Sequence, residues 1–372
     1  MKFDISVVVP MYNAERFIRF CVDSALNQTL KNVEVVVVDD RSSDNSLNLC
    51  RELYGNNERV QILQQPENRG PGATRNRGIR EASGEYIAFL DSDDAMVPEN
   101  LERMFTAAKK YDADVLHNNQ MKITLPLNDG SIPIDILSSP DYLLTIQLDK
   151  GESITDIETL PMNLTQRLDR WKEGRIQWSV CNKMIRRSLI MENNIIFHDM
   201  KMAEDALFCL QCLLTAKNYV MMPGGGYVVR TNEASLTRGV KTVDTIIKAV
   251  QIQLDIVKHL KAVSEKIPAL QDEANFNTAV STLLNSVEKF SLRAAFKGIG
   301  PESLRADGNL SDLFRKNFGD KAPYVEFLFF QLHEILPDER KSSPDDPETM
   351  EKIKQALKEA RALGREFVLK EE

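Results

Sequence analysis

The residues best placed to do chemistry fall in three polar clusters. Asp91-Ser92-Asp93-Asp94 puts three carboxylates within four residues. Like charges this close oppose folding unless a cation or hydrogen-bond donors offset them. Hard oxygen donors suit Mg2+ or Mn2+, which bridges one or two carboxylates to substrate phosphates. The plainer alternative is a solvated turn in which Asp93 or Asp94 caps the next helix. Asp39-Asp40 offers an acid that can accept from a ribose hydroxyl or a base N–H. The following Arg41-Ser42-Ser43 also suits a simple helix-entry turn. Asn68-Arg69-Gly70-Pro71-Gly72 through Arg75-Asn76-Arg77 is basic and glycine-containing and opens a helix. Its backbone N–H groups and arginines suit a diphosphate. It is neither a dinucleotide fingerprint nor a P-loop.

Alternating strands and helices must position these clusters. Ile5–Val9, Val33–Val38, Val60–Leu63 and Tyr86–Leu90 read as buried strands, and Ala113–His117 as a further one. Between them, helices are expected with Asn13 capping the first, Ser43 or Asp44 the second, and Gly72–Ala82 forming the third. Pro98 stands near the start of another, carrying Leu101, Met104, Phe105 and Ala108. This βαβα order predicts an α/β fold with a doubly wound parallel sheet. Ligands of such sheets sit beyond the carboxyl ends of the strands. Three polar segments fall at such strand ends: Pro10–Asn13, Asp39-Asp40 and Asp91–Asp94.

Asn128-Asp129-Gly130, between Lys122–Leu127 and Ser131–Ile136, predicts a hairpin. An apolar helix is expected from about Glu204 to Leu214, then strands Tyr219–Met222 and Tyr227–Arg230 around Pro223 and three glycines. Cys209 and Cys212 have C-x-x-C spacing, but with no second pair on an apolar helix they read as buried packing. Beyond residue 240 the pattern turns helical. Val243 to Leu260 and Phe276 to Phe290 show helical spacing, and a charged amphipathic helix follows Asp346-Pro347. The reading is residues 1–240 as a nucleotide-binding catalytic domain and 241–372 as a C-terminal helical appendage.

The chain has 372 residues and a formal charge of -8. That charge argues against a nucleic-acid partner, which needs a basic face. No secretory signal is read at Met1–Val9, and no apolar run reaches bilayer length. The five cysteines, an odd number, point to reduced thiols. The expected location is cytoplasmic, with peripheral contact at the inner face of the membrane left open.

The clusters together resemble the family-two inverting glycosyltransferases. The motifs are Val8-Val9-Pro10-Met11-Tyr12-Asn13, Asp39-Asp40-Arg41-Ser42-Ser43-Asp44, Asn68-Arg69-Gly70 through Arg75-Asn76, and Gly84 through Asp94. A weaker match continues through Asn182-Lys183, Phe197, Glu204-Asp205 and Tyr227 through Arg230 to Ser235. The resemblance implies an A-type glycosyltransferase fold, a nucleotide-sugar donor (usually a UDP-sugar) and a divalent cation, Mn2+ or Mg2+. By position, Asp40 resembles the base-binding acid, and Pro10 and Tyr12 border the nucleotide. Asn68, Gly70, Arg75 and Arg230 join the donor site. Asp91 is the first acid of the D-x-D motif, with Asp93 and Asp94 as ribose and metal carboxylates. Asp205 resembles the catalytic base. Arg41 is a departure, standing where the family often has glycine.

The implied partner is a glycan or lipid-linked acceptor, in cell-surface polysaccharide or glycoconjugate synthesis. The helical appendage could serve a homodimer, the acceptor or a membrane surface, or simply cover the catalytic domain. A nicotinamide-dependent dehydrogenase shares the layout but lacks its glycine fingerprint here. A non-catalytic nucleotide-sugar or carbohydrate-binding protein of the same fold is the competing class.

Overall fold

The computed structural model describes residues 2–124, 143–147, 156–160, 163–172, 175–200, 203–230, 243–280 and 308–322, with a few isolated positions beyond. Two compact units form: one from Met1–Arg238 with Asp255–Asn285, the other from Gly239–Leu254 with Ser286–Glu372.

The first unit is built on apolar strands that bury both faces. β1 (Phe3–Met11), β2 (Val33–Asp39), β3 (Val60–Gln64) and β4 (Gly84–Phe89) run parallel, with β1 between β2 and β4. Every residue of β2 is buried. That includes Glu34, whose Oε1 accepts from Ser6 Oγ at 2.5 Å and from the Ser83 N–H at 2.7 Å. A buried carboxylate so supplied avoids the cost of an unpaired charge. α1 (Ile18–Leu26), α2 (Ser46–Tyr54) and α3 (Gly70–Glu81) connect the parallel strands. α3 lies against β1, where Gly78 allows the approach: a Cβ there would stand 2.4 Å from Val8 Cγ1.

The expected parallel sheet proves to be mixed. Its order is β3-β2-β1-β4-β10-β6-β11-β9. β10 (Lys183–Arg186) inserts antiparallel between β4 and β6 (Val115–Asn118). Four residues flanked by Lys and Arg carry too little apolar periodicity to be read as a strand. β11 (Tyr219–Met222) then pairs parallel with β6 and antiparallel with β9 (Glu158–Leu160).

A second sheet of four strands runs in the order β5-β12-β7-β8. It comprises β5 (Ala95–Met96), β7 (Gln120–Thr124), β8 (Leu143–Gln147) and β12 (Tyr227–Val229). The antiparallel partner of β7 is β8, and its other edge is taken by β12. The hairpin expected between Lys122–Leu127 and Ser131–Ile136 falls mostly outside the described residues, the Asn128–Gly130 turn included.

Helix starts also shift. α1 begins at Ile18, and Asn13, at φ 49°, serves a cross-loop bond instead. α2 begins at Ser46, whose N–H donates to Asp44 Oδ1 at 3.0 Å. α3 begins at Gly70, two residues before the expected start. α4 (Asn100–Lys110), α5 (Leu164–Lys172), α6 (Arg187–Glu192) and α7 (Glu204–Thr215) complete the layers. Cys209 and Cys212 are buried in α7, and burial pushes both thiols up, Cys209 to about 12.

α8 spans Val243–Ser264 as its spacing predicts. Residues 273–280 are helical. The remainder of the helix expected through Phe290, and the one after Asp346-Pro347, lie outside the described residues. In the second unit Val250, Leu310, Phe314 and Ala322 make a small core. Among the described residues no helix is long and apolar enough to cross a membrane.

Candidate active site

The parallel strands end along one edge, and that edge gathers the polar clusters. The Leu90 N–H donates to Val8 O at 3.1 Å and the Asp40 N–H to Met11 O at 2.8 Å, so the segments after β4, β1 and β2 lie side by side. The loop after β1 clasps the loop after β2. Asn13 Oδ1 accepts from the Ser43 N–H at 2.8 Å, and the Ala14 N–H donates to Ser46 Oγ at 2.7 Å. Arg41 adopts φ 64°, a left-handed conformation that favours glycine. The turn geometry that glycine would serve is thus kept, at some backbone cost.

Asp40 is buried and fully engaged. Its two oxygens accept from the Arg69 N–H at 2.9 Å and the Gly70 N–H at 2.7 Å. Two of the backbone donors expected to meet a diphosphate therefore hold Asp40 and set the start of α3. Asn68 is exposed, Pro10 and Gly70 are partly buried, and Tyr12 is 51% exposed beside them.

Arg75 is the hub. One Nη donates to Asp91 Oδ1 at 2.8 Å and the other to Glu204 Oε1 at 2.9 Å. Its side chain is 7% exposed, and Glu204's 9%. Burial works against the Arg75 charge, but Asp91 first, then Glu204, outweigh it and hold the guanidinium above its ordinary value. Phe197 lies under the guanidinium at 5.5 Å. Asn76 and Phe197 exchange two hydrogen bonds, of 2.7 and 2.9 Å. α3 is thereby fastened to the start of α7, and Glu204-Asp205 comes to the edge that carries Asp91.

Asp205 is half-buried at the first turn of α7, preceded by Ala203 at φ 63°. Burial, then Glu204, pushes its carboxyl up to about 8, against the pull of Arg75. Backbone strain of this kind persists where surrounding structure imposes it.

The acids after β4 differ sharply. Asp94 Oδ2 accepts from Tyr227 Oη at 2.7 Å, and Oδ1 from the Arg230 N–H at 2.8 Å. Tyr227 Oη also accepts from the Asp91 N–H at 3.2 Å. Burial, then Asp93 and Asp91, raises the Asp94 carboxyl well above the usual range. Asp93 is likewise raised, by burial and then Asp91. Arg230 lies over Phe17 and Phe20 at 5.3 and 5.1 Å and donates through Nε to Asp93 O at 3.3 Å. Tyr227 so knits the acidic loop to β12 that Tyr227→Phe should cost about 1–3 kcal/mol. Urea denaturation checks this, and an unchanged midpoint would show that the loop holds itself.

Among the described residues no three His, Cys, Asp or Glu side chains converge into a ready cation cage. Asp93 keeps both carboxylate oxygens without a side-chain partner, and Asp91 is 37% exposed. An ion held by one or two carboxylates and substrate phosphates suits this donor set.

Tyr227 and the Arg75–Glu204 pair were reachable from sequence only through motif position. His117-Asn118-Asn119 was missed, although polar residues ending a buried strand are the signal that marked the other clusters. All three are buried, with His117 Nε2, Asn118 Oδ1 and both Asn119 amide atoms unpartnered.

Residues 6–191, half of the chain, match the profile of glycosyl transferase family 2. The chain belongs to this family. Asp205 and Arg230 lie beyond the matched stretch. The chain is 31% identical over 234 residues to the uncharacterized glycosyltransferase EpsJ of Bacillus subtilis, covering 63% of this chain and 62% of that protein. It is 31% identical over 217 residues to the poly(ribitol-phosphate) beta-glucosyltransferase of Bacillus spizizenii, covering 57% of this chain and 30% of that one. It thus spans less than two thirds of either relative. The S. aureus TarS structure in complex with UDP-GlcNAc superposes with a TM-score of 0.61 at 21% identity, covering 98% of this chain and 92% of that one. The shared architecture is that of A-type glycosyltransferases.

Proposed function

We propose that this protein is an inverting glycosyltransferase that moves a sugar from a UDP-sugar to an acceptor hydroxyl. One observation carries the reading. Arg75 spans 129 positions of sequence to tie Glu204, and with it Asp205, to the acidic edge at Asp91. A candidate base and a candidate diphosphate site thus lie along one sheet edge, in a chain of the matching family. The UDP-GlcNAc bound to TarS supports the choice of donor, and the poly(ribitol-phosphate) in the B. spizizenii relative's name supports a polymeric glycoconjugate acceptor. Residues 1–240 are assigned the catalysis and 241–372 the helical appendage.

In this reading Tyr12 stacks on the base, and Asp40 shapes the loop that borders it. Asp205, in its ionised form, takes the acceptor hydroxyl's proton as the acceptor oxygen bonds to the anomeric carbon. The bond from that carbon to the diphosphate breaks, and its electron pair leaves with the diphosphate. When bound, Mn2+ or Mg2+ supplies charge neutralisation at the departing phosphates. Asp93, with Asp91 or Asp94, would hold it. Arg75 sets the spacing of Asp91 and Glu204, and Arg230 steadies the backbone of Asp93.

The experiment is a melt with UDP and Mn2+. At a hundredfold excess over the dissociation constant, about 2.7 kcal/mol of stabilisation is expected. Chelator should remove it, and so should Asp93→Asn. A shift indifferent to both would reject the acidic loop as the donor site. Binding without sugar transfer to any acceptor or water would favour a non-catalytic member of the fold.

A further inference from the structure

Asn182-Lys183 belongs to the weaker family match, yet glycosyl transfer, as described, does not use it. The pair stands where the chain enters β10. Lys183 is 1% exposed. Its ammonium donates to Gln177 O at 2.6 Å, to Ser179 O at 2.7 Å and to Asn182 Oδ1 at 3.0 Å. A charge taken this far from water needs such oxygens around it. Asn182 Nδ2 in turn donates to Asn118 O at 2.9 Å, and the Lys183 N–H to Val180 O at 3.1 Å. The chain from Gln177 to Lys183 is thereby drawn into a closed turn against the end of β6.

Cys181 lies within that turn, and its sulfur reaches Asp91. The thiol donates to Asp91 Oδ2 at 3.5 Å. Tyr227 is the sulfur's other polar neighbour. Asp91 is then held at every polar atom. Its Oδ1 accepts from Arg75 at 2.8 Å, its carbonyl accepts from Cys21 Sγ at 3.5 Å, and its N–H donates to Tyr227 Oη at 3.2 Å. The partners come from α3, α1, β12 and the turn before β10, respectively 16, 70, 136 and 90 positions away.

A thiol suits this place because of charge. Asp91, Asp93 and Asp94 repel one another. Arg75 alone leaves the Asp91 carboxylate free to swing about its one bonded oxygen. A second cation on Oδ2 would stop the swing, but it would also cancel negative charge that a bound divalent cation needs. An S–H group is a weak and neutral donor. It fixes the orientation and leaves the charge in place. Burial first, then the Asp91 charge, keeps the proton on the sulfur.

We propose that Cys181 is a positioning residue of the donor site: its thiol holds Asp91 Oδ2, so that the acidic loop presents one fixed arrangement of carboxylates to the donor's cation and diphosphate. Asn182 and Lys183 act one step further back, by holding the turn that carries the sulfur. The proposal rests on the reading of the acidic loop as the donor site.

Two measurements on the full chain test it. The first needs no ligand. The S–H stretch falls in an infrared window free of other protein bands, and donation to a carboxylate lowers its frequency. The difference spectrum between wild type and Cys181→Ala should show one such lowered band. The second is calorimetric titration with UDP and Mn2+. Ser and Ala at position 181 differ only by the hydroxyl, so comparing them separates the donor from the lost sulfur. Cys181→Ala should bind about fivefold more weakly than Cys181→Ser, the usual worth of one hydrogen bond, and Cys181→Ser should stay within about threefold of wild type. A Cys181 band at the frequency of a thiol without an acceptor would overturn the proposal. Equal affinity in the Ala and Ser variants, or wild-type affinity in Cys181→Ala, would overturn it too. Absence of UDP binding in the wild type would instead reject the donor reading itself, and the band, read without ligand, tells the two failures apart.

Discussion

Arg75→Met should destabilise the protein by about 3–5 kcal/mol, the usual cost of removing one partner from a buried ion pair. The size follows from what is left behind. Glu204 is 9% exposed, and its Oε1 loses the Arg75 Nη at 2.9 Å. Asp91 loses its 2.8 Å partner while Asp93 and Asp94 remain beside it. Asp205 loses the one nearby charge that favours its ionised form. Met fills much of the arginine's apolar volume, so the loss is one of charge more than of packing. Urea denaturation at pH 7 measures it. Asp91→Asn introduced together with Arg75→Met should recover part of the loss, because the two positions are coupled through one contact. A midpoint unchanged in Arg75→Met would mean that water reaches both acids and that α3 and α7 are joined by Phe197 and Asn76 alone. Transfer should also collapse, since Glu204-Asp205 would no longer be held against the acidic loop.

Asp205→Asn should lower sugar transfer by about 10²- to 10⁴-fold, the usual contribution of a general base, with donor binding intact. Its stability should move the other way. The folded protein holds the Asp205 proton up to about 8, whereas an unfolded chain releases it near pH 4, at the ordinary aspartate value of about 3.9. Between those values the unfolded state binds fewer protons, so this group makes stability fall as pH rises. Below about pH 4 both states are protonated and the difference vanishes. The Asn variant should therefore melt higher than wild type at pH 8, with a gap that closes toward pH 4. Each kcal/mol relieved amounts to about 2–4 °C in a domain of this size. Such a trade of stability for function is common at active sites. Transfer assays and melts over pH 4–8 give both readouts. If transfer survives in Asp205→Asn and collapses in Glu204→Gln, the roles of the two acids are exchanged. If it survives in both, the base lies elsewhere. A melting gap that widens toward low pH would show that the Asp205 carboxylate is stabilised in the fold.

The strands that end at the site are legible in the residues alone. Val33–Val38 and Ile5–Val9 are apolar at every step or nearly so, and a continuous β-branched run can only be buried on both faces. Polar residues directly after such runs must emerge at a sheet edge, which makes Pro10–Asn13, Asp39-Asp40 and Asp91–Asp94 neighbours before any coordinates exist. Periodicity likewise placed α7 and α8.

The pairing of side chains across the site is set by long-range packing. Arg75 reads as a ligand for phosphate because its local segment is basic and opens a helix. Its partners, Asp91 and Glu204, are 16 and 129 positions away, and no local pattern encodes a contact closed by the packing of α3 on Phe197. Asp40 likewise spends its oxygens on Arg69 and Gly70, a choice set by how β2 and α3 meet. β10 was invisible because its stability comes from two neighbours, β4 and β6, and not from its own four residues. Strand preference is largely a matter of what lies alongside, so a short polar strand in the middle of a sheet exists only once the sheet does.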